Sequence, residues 1–168
     1  MQYHTHGFNP GDPNVFAAVP GHRRAGDPLP ETIDVLIAGS GPAGLCLAAQ
    51  LAREPSIRTM LVEPKFGPME KGQADGISVR SMEMFQAFGF AEKVMRESVW
   101  INETTFWAAG AESALERVAR VQDVPDGISE MPHVLLNQAR VHDMFLDLMR
   151  DGPTKLEPDY GLKVVDLE

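Results

Sequence analysis

Three glycines in one short run are the clearest chemical signal in this 168-residue chain. They belong to Gly39-Ser40-Gly41-Pro42-Ala43-Gly44, which has an apolar run before it and a helical pattern after it. In such a strand–turn–helix unit, the first glycine permits the tight turn, the second lets a pyrophosphate approach the backbone, and the third lets the helix pack on the strand. The phosphates then lie at the positive amino end of the helix. The sequence therefore predicts a dinucleotide site formed by Gly39, Gly41, Pro42, Ala43 and Gly44.

An acidic residue, Glu63, directly follows the next apolar run, at residues 59–62. A carboxylate at this place accepts hydrogen bonds from the hydroxyls of an adenosine ribose, and it would repel a 2′-phosphate. The turn by itself does not decide between NAD and FAD, although the order Gly-Pro-Ala-Gly-Leu is more typical of FAD sites. An α/β turn that binds no ligand is the alternative interpretation.

Other polar residues carry weaker signals when each is taken alone. Asp75-Gly76 is a common turn dipeptide, and Arg80 is typical of a solvated charge on a helix. His133 follows a proline at the predicted start of a strand, where it fits a structural role as well as a catalytic one. His4 and His142 are predicted to lie at the surface.

The single cysteine, Cys46, is predicted to be a small buried apolar group rather than a nucleophile. It has no partner for an intrachain disulfide, so nothing indicates an oxidising compartment. No group of His, Cys and Asp residues has the spacing of metal ligands, and we predict no metal site.

Apolar periodicity predicts the elements that position these residues. Strands at 33–38 and 59–62 flank a helix with Leu45, Leu47, Ala48, Leu51 and Ala52 on one face, which completes a βαβ unit. Further helices are predicted at 79–88, ending at Gly89, and at 91–96. Asn137 is predicted to cap a helix with Val141, Phe145, Leu148 and Met149 on one face. Strands are predicted at 100–107, 116–122, 132–136 and 162–167.

Composition narrows the class of protein. The chain is 43% hydrophobic and 23% charged, as in ordinary globular proteins. Its net charge of −9 argues against a nucleic-acid partner. Residues 35–52 carry no charge but contain too many glycine and polar residues for a membrane span. We therefore expect a soluble, cytoplasmic protein.

The segment Gly72-Gln73-Ala74-Asp75-Gly76-Ile77, with Arg80 and Met82-Glu83-Met84-Phe85 after it, resembles the FAD-dependent aromatic hydroxylases, the class A flavoprotein monooxygenases. The resemblance is strongest for the branch of phenol 2-monooxygenase and 3-hydroxybenzoate 4-monooxygenase. It continues through Trp100-Ile101-Asn102, Thr105-Phe106-Trp107, Arg120-Val121-Gln122-Asp123, Pro132-His133-Val134 and Leu136-Asn137-Gln138-Ala139-Arg140-Val141-His142. It covers nearly the whole chain.

This resemblance implies an α/β fold with a Rossmann-like FAD-binding domain of the glutathione reductase type. It implies an NAD(P)H-dependent enzyme that hydroxylates a phenolic substrate with O₂ through a flavin C4a-hydroperoxide. Gln73, Arg80 and Gln138 would contact the FAD. Asp75 would lie over the flavin ring and face the substrate hydroxyl, with His133 nearby. An aspartate there is chemically sensible, because a general base that removes the phenol proton creates the more reactive phenolate.

Members of the family are several times longer and carry a second FAD motif and a substrate domain that this sequence does not contain. We therefore expect an extended arm at 1–30 and the amino-terminal part of an FAD-binding domain at 31–168, inactive alone. A non-catalytic dinucleotide-binding remnant or interaction module is the alternative. A homodimer is an expectation for the full-length form only, and the sequence leaves open which phenol is used and whether NADH or NADPH reduces the flavin.

Overall fold

A computed structural model describes residues 14–110 and 114–167 of the chain. The predicted surface residue His4 and the first part of the predicted arm lie outside the described residues. The chain divides into two compact units, one formed by Met1–Glu70 and His142–Glu168 and the other by Lys71–Val141. We call them unit 1 and unit 2.

The elements follow one another in an alternating order that is typical of α/β proteins. They are β1 (Val35–Ala38), α1 (Pro42–Leu51), β2 (Thr59–Glu63), β3 (Gly76–Ile77), α2 (Val79–Phe88), α3 (Ala91–Glu97), β4 (Val99–Ile101), β5 (Glu103–Ala109), β6 (Leu115–Gln122), β7 (His133–Leu135), α4 (Gln138–Asp151) and β8 (Asp159–Tyr160).

Unit 1 contains a parallel sheet in the order β1-β2-β8. Ala38 pairs with Val62, so the carboxyl ends of β1 and β2 lie side by side. The buried residues of α1 and its end are Leu45, Ala48, Ala49 and Ala52, which recur at helical spacing. The predicted βαβ unit is confirmed, but Leu47 was wrongly assigned to the buried face, since it is 44% exposed.

The prediction of a last strand at 162–167 is wrong. The third strand of this sheet is β8, and the chain leaves it at Gly161, whose φ of +77° is a left-handed conformation. Beyond Gly161 the side chains of Val165 and Leu167 are almost fully exposed. Their β-propensity has no effect there, because a strand forms only beside a partner that completes its hydrogen bonds.

Unit 2 contains an antiparallel sheet in the order β3-β7-β4 and a separate hairpin of β5 and β6. The single strand predicted at 100–107 is therefore two strands in different sheets, with the break at Asn102. The Asn102 carbonyl accepts a hydrogen bond from the Asp123 amide just after β6. Helix α2 has the predicted bounds, and Gly89 ends it with a φ of +87°.

Helix α4 begins as predicted, because the Asn137 side chain accepts a hydrogen bond from the Ala139 amide at 2.9 Å. Val141, Phe145 and Met149 are buried as predicted. Met144 and Leu146 are buried as well, so the buried side of the helix is wider than the predicted face. His142 lies on that buried side and is only 3% exposed, which contradicts the prediction of a surface histidine.

The described part of the predicted arm, residues 14–30, contains neither helix nor strand. It runs along unit 1, where the amides of Phe16 and Val19 donate to the carbonyls of Asp151 and Pro153. Arg23 forms two hydrogen bonds with the buried carboxylate of Asp159 at the start of β8, at 2.5 and 2.9 Å. Among the described residues no helix has the length and apolar character needed to cross a membrane.

Candidate functional site

The three glycines of the turn between β1 and α1 serve three different purposes. Gly39 has a φ of +104°, which an L side chain rarely tolerates. A Cβ on Gly44 would overlap the carbonyl oxygen of Gly39 and lie 3.3 Å from Cγ2 of Ile37. A Cβ on Gly41 would meet no atom within 4 Å, and the backbone there is ordinary. Gly39 and Gly44 are therefore needed by the fold, whereas the fold does not need Gly41.

Helix α1 begins without a capping side chain. Gly41 is its N-cap residue in an extended conformation, and Pro42 occupies the first helical position. Proline has no N–H to lose there, and the following first-turn amides have no acceptor within the helix. Ala43 and Gly44 lie in this first turn, so their backbone N–H groups are the ones that an anion at the helix end would bind.

Glu63, at the carboxyl end of β2, is held by the same turn. Its Oε2 accepts hydrogen bonds from the Ser40 amide at 2.8 Å and the Ser40 hydroxyl at 3.0 Å. Its Oε1 accepts one from the Lys65 amide at 3.0 Å. Burial alone would raise the pKa of Glu63. The three hydrogen bonds and the positive charge of Lys65 lower it by more, so the pKa of Glu63 lies below its usual value. The carboxylate is thus ionised and fixed beside the turn.

Ser40 was not predicted as a site residue. It is buried at 5% exposure and ties the first strand end to the second through Glu63. Its position inside the glycine run was the available signal, since parallel pairing of β1 and β2 must bring that run beside Glu63.

Two buried polar groups lie in the same unit. Both ring nitrogens of His142 and the hydroxyl of Tyr160 have no hydrogen-bond partner among the described residues. Burial lowers the pKa of His142, and the charges of Asp143 and Glu63 partly oppose that shift. Burial likewise raises the pKa of Tyr160, the residue that pairs with Glu63 in the sheet. Cys46 is half-buried rather than buried as predicted, and this partial burial raises the pKa of its thiol, which agrees with its predicted unreactive character.

In unit 2, the structure brings Gln73 and Gln138 together. The Gln73 amide donates to Oε1 of Gln138 at 2.9 Å. Gly72 lies so close to the start of α4 that a Cβ on it would be 2.5 Å from Cβ of Gln138 and 2.9 Å from its backbone nitrogen. The loop that leads to Asp75 is therefore anchored to the first residue of α4.

Asp75 and His133 lie on paired segments. Gly76 and Ile77 form β3 and pair with Leu135 and Val134 of β7. The Asp75 carbonyl extends the ladder by accepting the Leu136 amide at 2.8 Å. Nε2 of His133 would be 3.7 Å from a Cβ on Gly76. The Asp75 side chain is exposed.

His133 has a carboxylate partner that sequence reasoning missed. Its Nδ1 is 2.7 Å from Oδ2 of Asp123, and Oδ1 of Asp123 accepts the Thr104 hydroxyl at 2.8 Å. The pKa of Asp123 is lowered mainly by the hydrogen bond from Thr104 and next by the hydrogen bond with His133. An ionised Asp123 accepts a hydrogen bond from Nδ1–H of a neutral imidazole, and this tautomer leaves the Nε2 lone pair free to accept a hydrogen bond. No spacing in the sequence indicates this pair.

Arg80 stands apart from these contacts. It lies on α2 with 83% of its side chain exposed and forms an ion pair with Glu83 at 3.0 Å. Glu83 also accepts the Ser129 hydroxyl at 2.8 Å, and the hydrogen bonds from Ser129 and Arg80 lower its pKa. The described contacts of Arg80 are those of a surface charge, and its role toward a cofactor stays a prediction.

A parallel sheet, a glycine turn that opens a helix and a carboxylate at the end of the next strand together define a dinucleotide-binding βαβ unit. Residues 32–158 match the family described as FAD binding domain. The chain belongs to this family. The turn alone left NAD and FAD open as cofactors, and the family gives FAD.

The full chain is 53% identical over 170 residues to 3-hydroxybenzoate 4-monooxygenase from Comamonas testosteroni, covering 100% of the chain and 27% of that protein. It is 42% identical over 134 residues to an FAD-dependent monooxygenase, terD, from Aspergillus terreus, covering 78% of the chain and 22% of that protein. A solved structure of the flavin-dependent monooxygenase PieE with FAD and substrate is similar with a TM-score of 0.65 and 25% identity, over 83% of this chain and 26% of that one.

The chain therefore spans about a quarter of the length of these relatives. The likeness confirms the resemblance stated from the sequence and the α/β FAD-binding fold. The roles assigned to individual residues, from Gly39 to Gln138, stay predictions.

Proposed function

We propose that the chain is the FAD-binding portion of an NAD(P)H-dependent flavoprotein monooxygenase that hydroxylates a phenolic substrate with O₂ in the cytoplasm. The observation that carries the proposal is the geometry of the turn. Gly41 leaves open the space that a pyrophosphate needs, the uncapped helix end faces that space, and an ionised Glu63 is fixed beside it. The 53% identity to 3-hydroxybenzoate 4-monooxygenase supports the chemistry.

Unit 1 binds the ADP half of FAD in this proposal. The amides of Ala43 and Gly44 bind the pyrophosphate with help from the helix dipole. Glu63 accepts hydrogen bonds from the ribose hydroxyls, and its lowered pKa keeps it an acceptor at neutral pH. Ser40 keeps the carboxylate in place.

Unit 2 supplies residues for the substrate and the flavin ring. When bound and reduced by NAD(P)H, the flavin would activate O₂, so that one oxygen atom passes to the phenol ring and the other leaves as water. Gln73, Gln138 and Arg80 contact the flavin, and Asp75 accepts the proton of the phenol hydroxyl. A carboxylate in hydrogen-bond reach of that proton acts as a general base. His133 offers Nε2 as a second acceptor, with Asp123 holding its Nδ1 proton.

The proposed binding of FAD is tested by titrating FAD into the purified chain and measuring the heat of binding and the flavin absorption spectrum. We expect saturable, weak binding, because the chain offers mainly contacts to the ADP half. ADP should compete with FAD for the same site. A chain that binds neither ligand would contradict the proposal.

The catalytic part of the proposal is tested in a protein of the relatives' length, since the chain spans 27% of 3-hydroxybenzoate 4-monooxygenase. A chimera that joins this chain to the part of the Comamonas testosteroni relative beyond the matched segment should show phenol-dependent oxidation of NAD(P)H and a hydroxylated product. Asp75→Asn in the chimera should lower product formation about 10²- to 10⁴-fold, the usual range for a lost general base. A chimera that holds FAD but never hydroxylates a phenol would refute the hydroxylase and favour a dinucleotide-binding module.

A further inference from the structure

The order of the strands in unit 1 sets a direction for the dinucleotide. The carboxyl ends of β1, β2 and β8 lie in that order along one edge of the parallel sheet. The glycine turn follows β1, and Glu63 ends β2. Neighbouring strands are about 4.8 Å apart. A dinucleotide with its pyrophosphate at the first strand end and its ribose at the second must extend its adenine toward the third.

An aromatic side chain lies at that third position. Gly161 follows β8, and its amide donates to the Lys65 carbonyl at 2.8 Å, while the Leu162 amide donates to the Glu63 carbonyl at 3.1 Å. These two bonds join the loop after β2 to the loop after β8. A Cβ on Gly161 would lie 3.3 Å from Cδ1 and Cε1 of Phe66, so the phenyl ring lies beside the space that a side chain on Gly161 would fill.

The ring is otherwise uncovered. Phe66 is 96% exposed, the highest value among the exposed large hydrophobic residues of the described chain. A single exposed apolar residue is common on protein surfaces. Phe66 differs from the other exposed residues by its place, because it lies at the third strand end, toward which the adenine extends.

We propose that Phe66 is the stacking platform for the adenine ring of the cofactor. This inference rests on the proposed function and assigns its adenine subsite. Gly161 is a positioning residue, because its lack of a side chain lets the phenyl ring approach the backbone. Stacking on an aromatic face requires no particular pattern of hydrogen bonds on the base, so Phe66 supplies affinity rather than discrimination between purines.

The test uses ADP and the full chain in isothermal titration. Phe66→Leu keeps an apolar side chain but removes the ring, and we expect ADP affinity to fall about 5- to 100-fold, as expected for one lost base–aromatic stack. Phe66→Trp should keep the affinity. Phe106→Leu is the matched control, since Phe106 is an exposed aromatic residue of the β5–β6 hairpin, and it should bind ADP like the unmodified chain.

Inorganic pyrophosphate serves as a second probe, because it lacks the base. Its effect on the amide NMR signals of Ala43 and Gly44 should be the same in the unmodified chain and in Phe66→Leu. Equal ADP affinity in these two proteins would refute the stacking role of Phe66 and leave the proposed function standing. Equal losses for ADP and pyrophosphate would also refute the stacking role, because the turn itself would then be damaged. Absence of ADP binding by the unmodified chain would overturn the proposed function, and this inference with it.

Discussion

Gly41 and Gly44 stand three residues apart in the same turn, and the structure predicts opposite consequences when each is replaced by alanine. The added methyl group of Gly44→Ala would overlap the Gly39 carbonyl oxygen, a backbone atom that cannot rotate away. The methyl group of Gly41→Ala would meet no protein atom within 4 Å. The first change should therefore damage the fold, and the second should damage only the binding of a phosphate ligand.

The magnitudes follow from known costs. Overpacking a well-packed site costs about 1–3 kcal/mol, and Gly44→Ala should reach at least the upper end because the obstacle is backbone. A loss of about 3 kcal/mol lowers the melting temperature of a chain of this size by roughly 6–12 °C. For Gly41→Ala, the poorer N-cap costs a few tenths to about 1 kcal/mol, and the stiffer unfolded chain returns about 0.4–1 kcal/mol. Its net change in the free energy of unfolding should be near zero.

Urea unfolding and ADP titration on the same protein samples separate the two effects. Gly41→Ala should unfold at the same urea concentration as the unmodified chain and bind ADP at least about tenfold more weakly, which corresponds to about 1.4 kcal/mol. Gly44→Ala should unfold at lower urea. The reasoning is refuted if Gly41→Ala binds ADP normally, or if Gly44→Ala is as stable as the unmodified chain.

Two further predictions concern histidines. The ring nitrogens of His142 are buried without a partner in the described chain, so His142→Leu should raise the free energy of unfolding by about 1–3 kcal/mol. Because burial lowers the pKa of His142, the unfolded state binds the extra proton first, and stability should fall as pH drops below the ordinary value of 6.5. Urea unfolding between pH 7.5 and 5 measures how the free energy of unfolding depends on pH, and this dependence should be weaker in His142→Leu. An equally steep dependence in His142→Leu would show that His142 is not its source. For His133, ring ¹⁵N NMR should show Nδ1 protonated in the neutral form and Nε2 protonated in Asp123→Asn, whose amide donates to Nδ1; the same tautomer in both proteins would show that Asp123 does not set it.

Local pattern was sufficient for much of the fold. The bounds of α2 and the conformation of Gly89 followed from apolar spacing and one glycine. The start of α4 followed from Asn137, which offers the amide acceptor that a helix end needs. These features depend on contacts within a few residues, and a single sequence carries that information.

The errors have one physical cause, which is that a neighbour distant in the sequence decided the outcome. The strand beside β2 was expected at 162–167, where β-propensity is high, but it formed at Asp159–Tyr160. Arg23 neutralises the carboxylate of Asp159 and so lets that residue enter the sheet edge buried. His142 is a polar residue on a helix, and its burial depends on what packs against α4 rather than on its own type.

The same distinction separates the two halves of the candidate site. Glu63 and Ser40 are 23 residues apart and lie in one βαβ unit, in which strand pairing leaves little choice of partner. Gln73 and Gln138 are 65 residues apart, and their contact depends on the whole path of unit 2 between them. Asp123 meets His133 only because the chain turns after β6 and returns as β7. Spacing therefore predicted the glycine turn and the acidic residue beside it. The roles of Asp75, Arg80, Gln138 and His133 were predicted from family resemblance, and Asp123, which belongs to no motif, became visible only in the structure.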